Sequence, residues 1–180
     1  MQTDLIISGF GGQGTLYAGQ LLSYAGMDAG KFVTWIPSYG PEMRGGTANC
    51  TVVVSDDEIG SPTVLYPTAV LAMNLPSLDK YEMLVKTGGW LIVNESMVNR
   101  SPTRKDIHVV MVSANKIAQE LGNERAANMV MLGVLLGNLS ILPKGALESA
   151  LDAHTAERLK RFIPSNIKAL EAGYQYKLAA

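Results

Sequence analysis

Asp4-Leu5-Ile6-Ile7-Ser8-Gly9-Phe10-Gly11-Gly12-Gln13-Gly14 is the stretch on which the fold turns. Its first half is a short aliphatic run with the pattern of a buried strand, and its second half is a glycine-rich turn that breaks that strand. From Gly14 through Gly26, Leu16, Ala18, Leu21, Leu22 and Ala25 keep helical spacing, and Gly30 stands just past the end, where a helix stop is expected. Phe32–Ile36 reads as the next strand, ended by Pro37. The three elements then form a β-α-β unit whose crossover should be right-handed.

Working outward, Ser38–Gly46 holds three glycines, a proline, a tyrosine and an arginine in nine residues, too irregular for an element and too distinctive for a linker. Thr47–Ser55, rich in Thr and Val, follows the previous strand too closely for a helical crossover and is expected to run antiparallel. Thr68–Met73, Trp90–Val93 and His108–Val112 read as further strands. Helices are expected at Leu78–Val85, Ala114–Leu121, Arg125–Leu139, Gly145–Ala153 and, after Pro164, Ser165–Tyr176. This alternation predicts an α/β fold, a three-layer Rossmann-like sheet that is mostly parallel with one antiparallel strand, and the length of 180 residues fits one domain over 1–180.

Composition narrows the function classes. Charged residues make up 17% of the chain, against a typical figure of about 25%, so an unusual share of the surface is expected to meet a partner. A formal net charge of −1 gives no electrostatic basis for general nucleic-acid or anionic-membrane binding. The single cysteine, Cys50, excludes an internal disulfide, a cysteine-ligated cluster or a zinc site, and reads as core packing. His108 and His154 have no Cys or carboxylate at metal-ligand spacing. No basic segment precedes Leu5, and the apolar run Met129–Leu139 is about half the roughly 20 residues of a membrane span, so a soluble, cytoplasmic protein is expected. The same run, hydrophobic nearly all round and carrying Gly133-x-x-x-Gly137, is core or interface.

Gly9-Phe-Gly11-Gly12-Gln13-Gly14 matches G-x-G-x-x-G between a strand and a helix. Such a loop lets backbone N–H groups approach a phosphate at the positive end of the helix, or it is simply a tight turn. NAD or FAD binding is disfavoured, because the second strand ends Trp35-Ile36-Pro37-Ser38 without the acid that holds ribose hydroxyls, and Asp28 falls before Gly30, on the wrong side of that strand. The Ser38–Gly46 loop should fall on the same sheet edge and meet the glycine loop. There Arg44 offers a fork for phosphate or carboxylate and Tyr39 a ring for a base or partner side chain; alternatively Arg44 pairs with Glu42 and Gly45-Gly46 merely reverse the chain. Asn74, Asn94 and Asn115 recur at strand ends, as turn residues or as the lining of a polar crevice. No Walker lysine, nucleophile elbow or catalytic acid–base pair is present.

Taken together, the glycine loop, Ser38-Tyr-Gly-Pro-Glu-Met-Arg-Gly-Gly-Thr-Ala-Asn-Cys50 and Asn128-Met-Val-Met-Leu-Gly133 resemble the gamma subunit of the 2-oxoacid:ferredoxin oxidoreductases. The resemblance covers nearly the whole chain, and Ala72-Met-Asn-Leu-Pro-Ser-Leu-Asp-Lys80 looks most like the 2-oxoglutarate branch. It implies a non-catalytic subunit in CoA-dependent oxidative decarboxylation of a 2-oxoacid with ferredoxin as electron acceptor. It further implies alpha and beta partner chains, allows a ferredoxin-like delta chain, and puts thiamine diphosphate and iron–sulfur clusters on those partners. Carried onto this chain, the coenzyme A positions are Gly11, Gly12, Gln13, Gly14, Tyr39, Arg44, Gly45 and Gly46. A scaffold role, in which these loops pack on the thiamine-binding chains and touch no ligand, stays open.

Overall fold

The computed structural model describes residues 1–39 and 46–177, with Tyr39 described by its backbone alone. The opening stretch forms β1 (Gln2–Phe10), which lies antiparallel to β3 (Thr47–Ser55) from Gln2 opposite Ser55 to Phe10 opposite Thr47. A partner of equal length extends the ladder to both sides of the expected Asp4–Ser8. The second strand, β2 (Phe32–Tyr39), also pairs antiparallel with β3. On the other side of β1 follow β4 (Ala69–Ala72), β5 (Trp90–Asn94) and β6 (His108–Val112), all parallel to it, giving the order β2-β3-β1-β4-β5-β6.

The sheet is therefore mostly parallel with one antiparallel strand, as expected, but the β-α-β unit is interrupted. β3 runs back beside β2 as its antiparallel neighbour, and the other edge of β3 takes β1, so β1 and β2 are not paired with each other. Pro37 does not end β2 either, since the strand continues to Tyr39. Among the described residues β2 pairs only with β3, and such an edge is where a residue without an N–H is tolerated.

Side-chain alternation along the strands creates two apolar layers. Leu5, Ile7, Cys50, Val52, Leu71 and Ile92 cluster with α1 (Thr15–Asp28), α4 (Ala127–Asn138), α5 (Ala146–His154) and α6 (Ile163–Tyr174). Ile6, Val70, Ala72, Leu91 and Val93 instead meet Leu78, Tyr81 and Val85 of the segment containing α2 (Leu75–Tyr81). Between β6 and α4 lies α3 (Ala114–Glu120). α2 starts three residues before the expected Leu78 because the side chain of Asn74 caps it, accepting from the Ser77 N–H at 3.0 Å. α6 starts before Pro164, which occupies its first turn, where the missing N–H has no intrahelical partner to lose.

Gly133 settles the status of the apolar run. A Cβ on Gly133 would stand 2.1 Å from the Leu170 carbonyl oxygen, and one on Gly173 would stand 2.1 Å from that of Val130. Backbone meets backbone there, so the run packs against α6 inside the fold; Met129 through Leu135 are all buried. No helix among the described residues is long and apolar enough to cross a membrane.

On the opposite layer Glu82, 3% exposed, accepts from Arg100, from the Thr103 hydroxyl and N–H and from the Arg104 N–H. Arg104 in turn donates to the Glu82 and Val85 carbonyls, which holds the strand-to-strand segment before β6 against α2. Burial alone would raise the Glu82 carboxyl; the hydrogen bonds from Arg100, Thr103 and Arg104 outweigh it and hold the pKa down at about 2.

Candidate functional site

The chain leaves β1 toward the β2 side of the sheet and later enters β4 on the other side, so the carboxyl ends of β1 and β4 flank a topological switch point, the usual crevice for a ligand in an open α/β sheet. The glycine loop occupies that crevice. Gly12 has φ +101 and Gly14 φ +73, conformations that side-chain-bearing residues rarely adopt, and no atom of the described residues lies within 4 Å of where a Cβ on Gly12 would stand. Gly14 is the N-cap of α1; it supplies no side-chain cap, and no acid sits in the first turn. Among the described residues the loop thus presents an uncapped and positively polarised helix start, the kind of backbone that suits an anion.

The underside of the loop is fixed by amides. Gln13 Oε1 accepts from the Phe10 N–H at 2.6 Å and from Asn74 Nδ2 at 3.1 Å, while Gln13 Nε2 donates to the Met73 carbonyl at 3.2 Å. Since that carbonyl can only accept, the amide orientation is determined. Asn128 Nδ2 donates to the Gly14 carbonyl at 3.1 Å and stands so close that a Cβ on Gly14 would lie 2.4 Å from it. Asn128 belongs to a quoted sequence motif, yet nothing in that motif signals a contact with a loop more than a hundred positions earlier. Thr15, also buried, has a hydroxyl without a hydrogen-bond partner among the described residues.

Of the expected site residues, Gly11, Gly12, Gln13 and Gly14 lie together in this loop. Gly46 joins them, its carbonyl accepting from the Gly11 N–H at 2.9 Å, so the two loops do meet at that point. The Tyr39 side chain, Arg44 and Gly45 fall outside the described residues, as does the Arg44–Glu42 alternative. Asn74 and Asn94 are buried at 1% and 0% exposure and Asn115 is half-buried, so the three asparagines do gather at one edge, with Asn74 also serving as a helix cap.

Other candidates resolve into structure. Cys50 lies buried against α1, where a Cβ on Gly19 would stand 2.3 Å from its sulfur, and burial pushes its thiol up to about 11. His108 stacks on Trp90 with ring centroids 4.6 Å apart. His154 stacks on Tyr24 at 4.3 Å and its Nε2 meets Asp28 Oδ2 at 2.8 Å, so Asp28 is engaged at the far end of α1 from the glycine loop. The arrangement has the chemistry of a site that could bind and orient an anion, a polarised helix start on a supporting amide network.

A family model described as pyruvate ferredoxin/flavodoxin oxidoreductase matches residues 4–176. The ketoisovalerate oxidoreductase subunit VorA of Methanothermobacter marburgensis is 39% identical over 168 residues, covering 93% of this chain, which spans only about a third of that relative (35%). The 2-oxoglutarate synthase subunit KorC of Methanocaldococcus jannaschii is 32% identical over 178 residues, covering 97% of this chain and 94% of the relative. Among solved structures, the gamma subunit of a keto/oxoacid ferredoxin oxidoreductase from Geobacter sulfurreducens superposes with a TM-score of 0.84 at 29% identity, over 98% of this chain and 96% of that one. A 2-oxoglutarate:ferredoxin oxidoreductase from Magnetococcus marinus, solved with 2-oxoglutarate, coenzyme A and succinyl-CoA bound, shares the fold with a TM-score of 0.87 at 20% identity, over 97% of this chain and 31% of that one. A family match over residues 4–176, with a relative 32% identical along nearly its whole length, means that the chain belongs to the pyruvate ferredoxin/flavodoxin oxidoreductase family.

Proposed function

We propose that residues 1–180 act as one gamma-type domain, a non-catalytic subunit of a cytoplasmic 2-oxoacid:ferredoxin oxidoreductase, and that the glycine loop contributes to its coenzyme A site. The observation that carries this reading is the space that the described residues leave at Gly12 beside the uncapped start of α1, where the backbone is polarised to favour a phosphate group. Coenzyme A brings such groups, and it is bound in the related Magnetococcus enzyme. When bound, it supplies the thiol that accepts the acyl group. This chain's part is to hold the carrier: backbone N–H groups of the loop would donate to its phosphates, and Arg44 of the adjoining Ser38–Gly46 segment supplies the cation suited to them. The oxidative decarboxylation itself falls to partner alpha and beta chains bearing thiamine diphosphate and iron–sulfur clusters, with a ferredoxin-like delta chain allowed.

For the 2-oxoacid, 2-oxoglutarate is favoured by the full-length match to a 2-oxoglutarate synthase subunit. The higher identity to a ketoisovalerate oxidoreductase subunit supports a branched-chain 2-oxoacid as the second reading. Co-purification with its native partners, followed by comparing turnover of 2-oxoglutarate and ketoisovalerate, separates the two.

Arg44 tests the ligand. If it meets phosphate, Arg44→Ala weakens coenzyme A use by about 1.5–3 kcal/mol, the scale of a charge-assisted hydrogen bond, with the complex still assembled, and Arg44→Lys fails to restore a two-pronged contact. Looser subunit association with an unchanged KM for coenzyme A would instead make these loops a scaffold contact.

A further inference from the structure

The glycine loop is not held by its own residues alone. The Met73 carbonyl, at the end of β4, accepts from two side chains, Gln13 Nε2 at 3.2 Å and Asn94 Nδ2 at 3.4 Å. Asn94 Nδ2 also donates to Asn115 Oδ1 at 2.7 Å, which carries the network to the first turn of α3. From α3 to the loop the path is continuous: Asn115, Asn94, the Met73 carbonyl, Gln13, and finally the Phe10 N–H, with Asn74 bracing Gln13 from the side. It crosses the carboxyl ends of β5, β4 and β1 in sheet order.

Asn94 is the informative member. It is fully buried, and its Oδ1 meets no donor among the described residues. A buried amide oxygen without a partner is a standing desolvation cost that a leucine of similar size would not carry. Stability alone therefore does not account for an asparagine here. What leucine lacks is the Nδ2 donor pair that reaches Met73 and Asn115.

We infer that Asn94 is a positioning residue for the glycine loop, acting through the Met73 carbonyl and Gln13, and that Asn115 tunes it from the α3 side. With Asn94 in place both acceptor sites of the Met73 carbonyl are filled in fixed directions, so Gln13 has one orientation in which to receive the Phe10 N–H. Without it the carbonyl has one donor and the Gln13 amide gains freedom to swing. Transmission to ligand affinity rests on the proposed coenzyme A reading; transmission to the loop does not.

The test is Asn94→Leu in the full chain, read by amide hydrogen exchange of the peptide spanning Phe10 to Gly14 and by thermal melting, and then by coenzyme A kinetics of the oxidoreductase purified with its partners. The expected result is exchange faster by about tenfold in that peptide, the scale of one lost hydrogen bond, with a melting temperature equal to or above the parent's. KM for coenzyme A should rise several-fold with kcat retained. Asn115→Ala, at a half-buried position that leaves the core intact, should move the same peptide in the same direction by less. Unchanged loop exchange in both variants, or a melting temperature that falls with no change in the loop, overturns the inference by making Asn94 an ordinary core residue. Faster exchange with an unchanged KM for coenzyme A upholds the relay and removes coenzyme A from the loop.

Discussion

Two glycine clusters in this molecule look alike in sequence and obey opposite physics. At Gly133 and Gly173 the conformation is ordinary helix and the space is absent: any added carbon meets a carbonyl of the facing helix. At Gly12 the described residues leave the space open and the conformation is the constraint, with φ +101. The first kind of glycine is there so that the protein can touch itself. The second leaves room, and room beside a positively polarised helix start is what a phosphate-bearing ligand needs. Gly14 combines both, with a positive φ and Asn128 pressed against it.

The sharpest way to break this contrast is Gly133→Ala. In a helix interior that change ordinarily stabilises by about 1 kcal/mol. Here the contact is backbone on both sides and cannot yield as a side chain would, so chemical denaturation should show a net loss of about 3 kcal/mol or more, at the upper end of overpacking costs. A net gain would mean that α4 and α6 are not in the contact described.

A control outside both clusters comes next. Glu82→Gln removes the charge that Arg100 and Arg104 surround, and a loss of about 3 kcal/mol is expected at neutral pH from breaking a buried charged network. The sign of its pH dependence follows from its lowered pKa. The carboxyl titrates near 4.5 when free and at about 2 in the fold, so its contribution is fully present above the free value and is lost as pH falls from there through the folded value. Acid unfolding of the parent chain should steepen in that interval, and Glu82→Gln should flatten it. A variant as acid-sensitive as the parent would remove Glu82 from the account.

Gly14→Ala and Gly12→Ala separate crowding from conformation. Both place a Cβ in left-handed backbone, at about 1–2 kcal/mol. Gly14→Ala should cost more, because Asn128 must also move, whereas Gly12→Asn should cost less than Gly12→Ala, since asparagine tolerates that conformation. Equal losses at both positions would mean that Asn128 gives way freely.

Local chemistry made much of this legible in the sequence, and long-range geometry hid the rest. Asp4–Gly14 announces strand, loop and helix because aliphatic and glycine residues act within a few positions of themselves. Thr47–Ser55 announces an antiparallel strand because the connection before it is short. Its insertion between β1 and β2 leaves no mark, since alternation specifies which face a strand buries and not which strand lies beside it. Pro37 reads as a stop and is an edge-strand residue; only the sheet order tells the two apart. The Gly133 and Gly173 pair was the one recoverable signal, a glycine inside each of two helical runs. The amide network could not be read at all, for its hub is the Met73 carbonyl, a backbone atom with no signature in the sequence. The asparagines at strand ends were visible as a recurrence, and what joins them was not.

The central claim, that the glycine loop cradles a phosphate of coenzyme A, is tested most directly at Gly12, where an added methyl meets no atom of the described residues. In the oxidoreductase purified with its partner chains, Gly12→Ala should raise KM for coenzyme A by about tenfold or more, the scale of one disrupted charge-assisted contact, while subunit composition and KM for the 2-oxoacid stay at parent values. A parent-like KM for coenzyme A from an intact complex would contradict it.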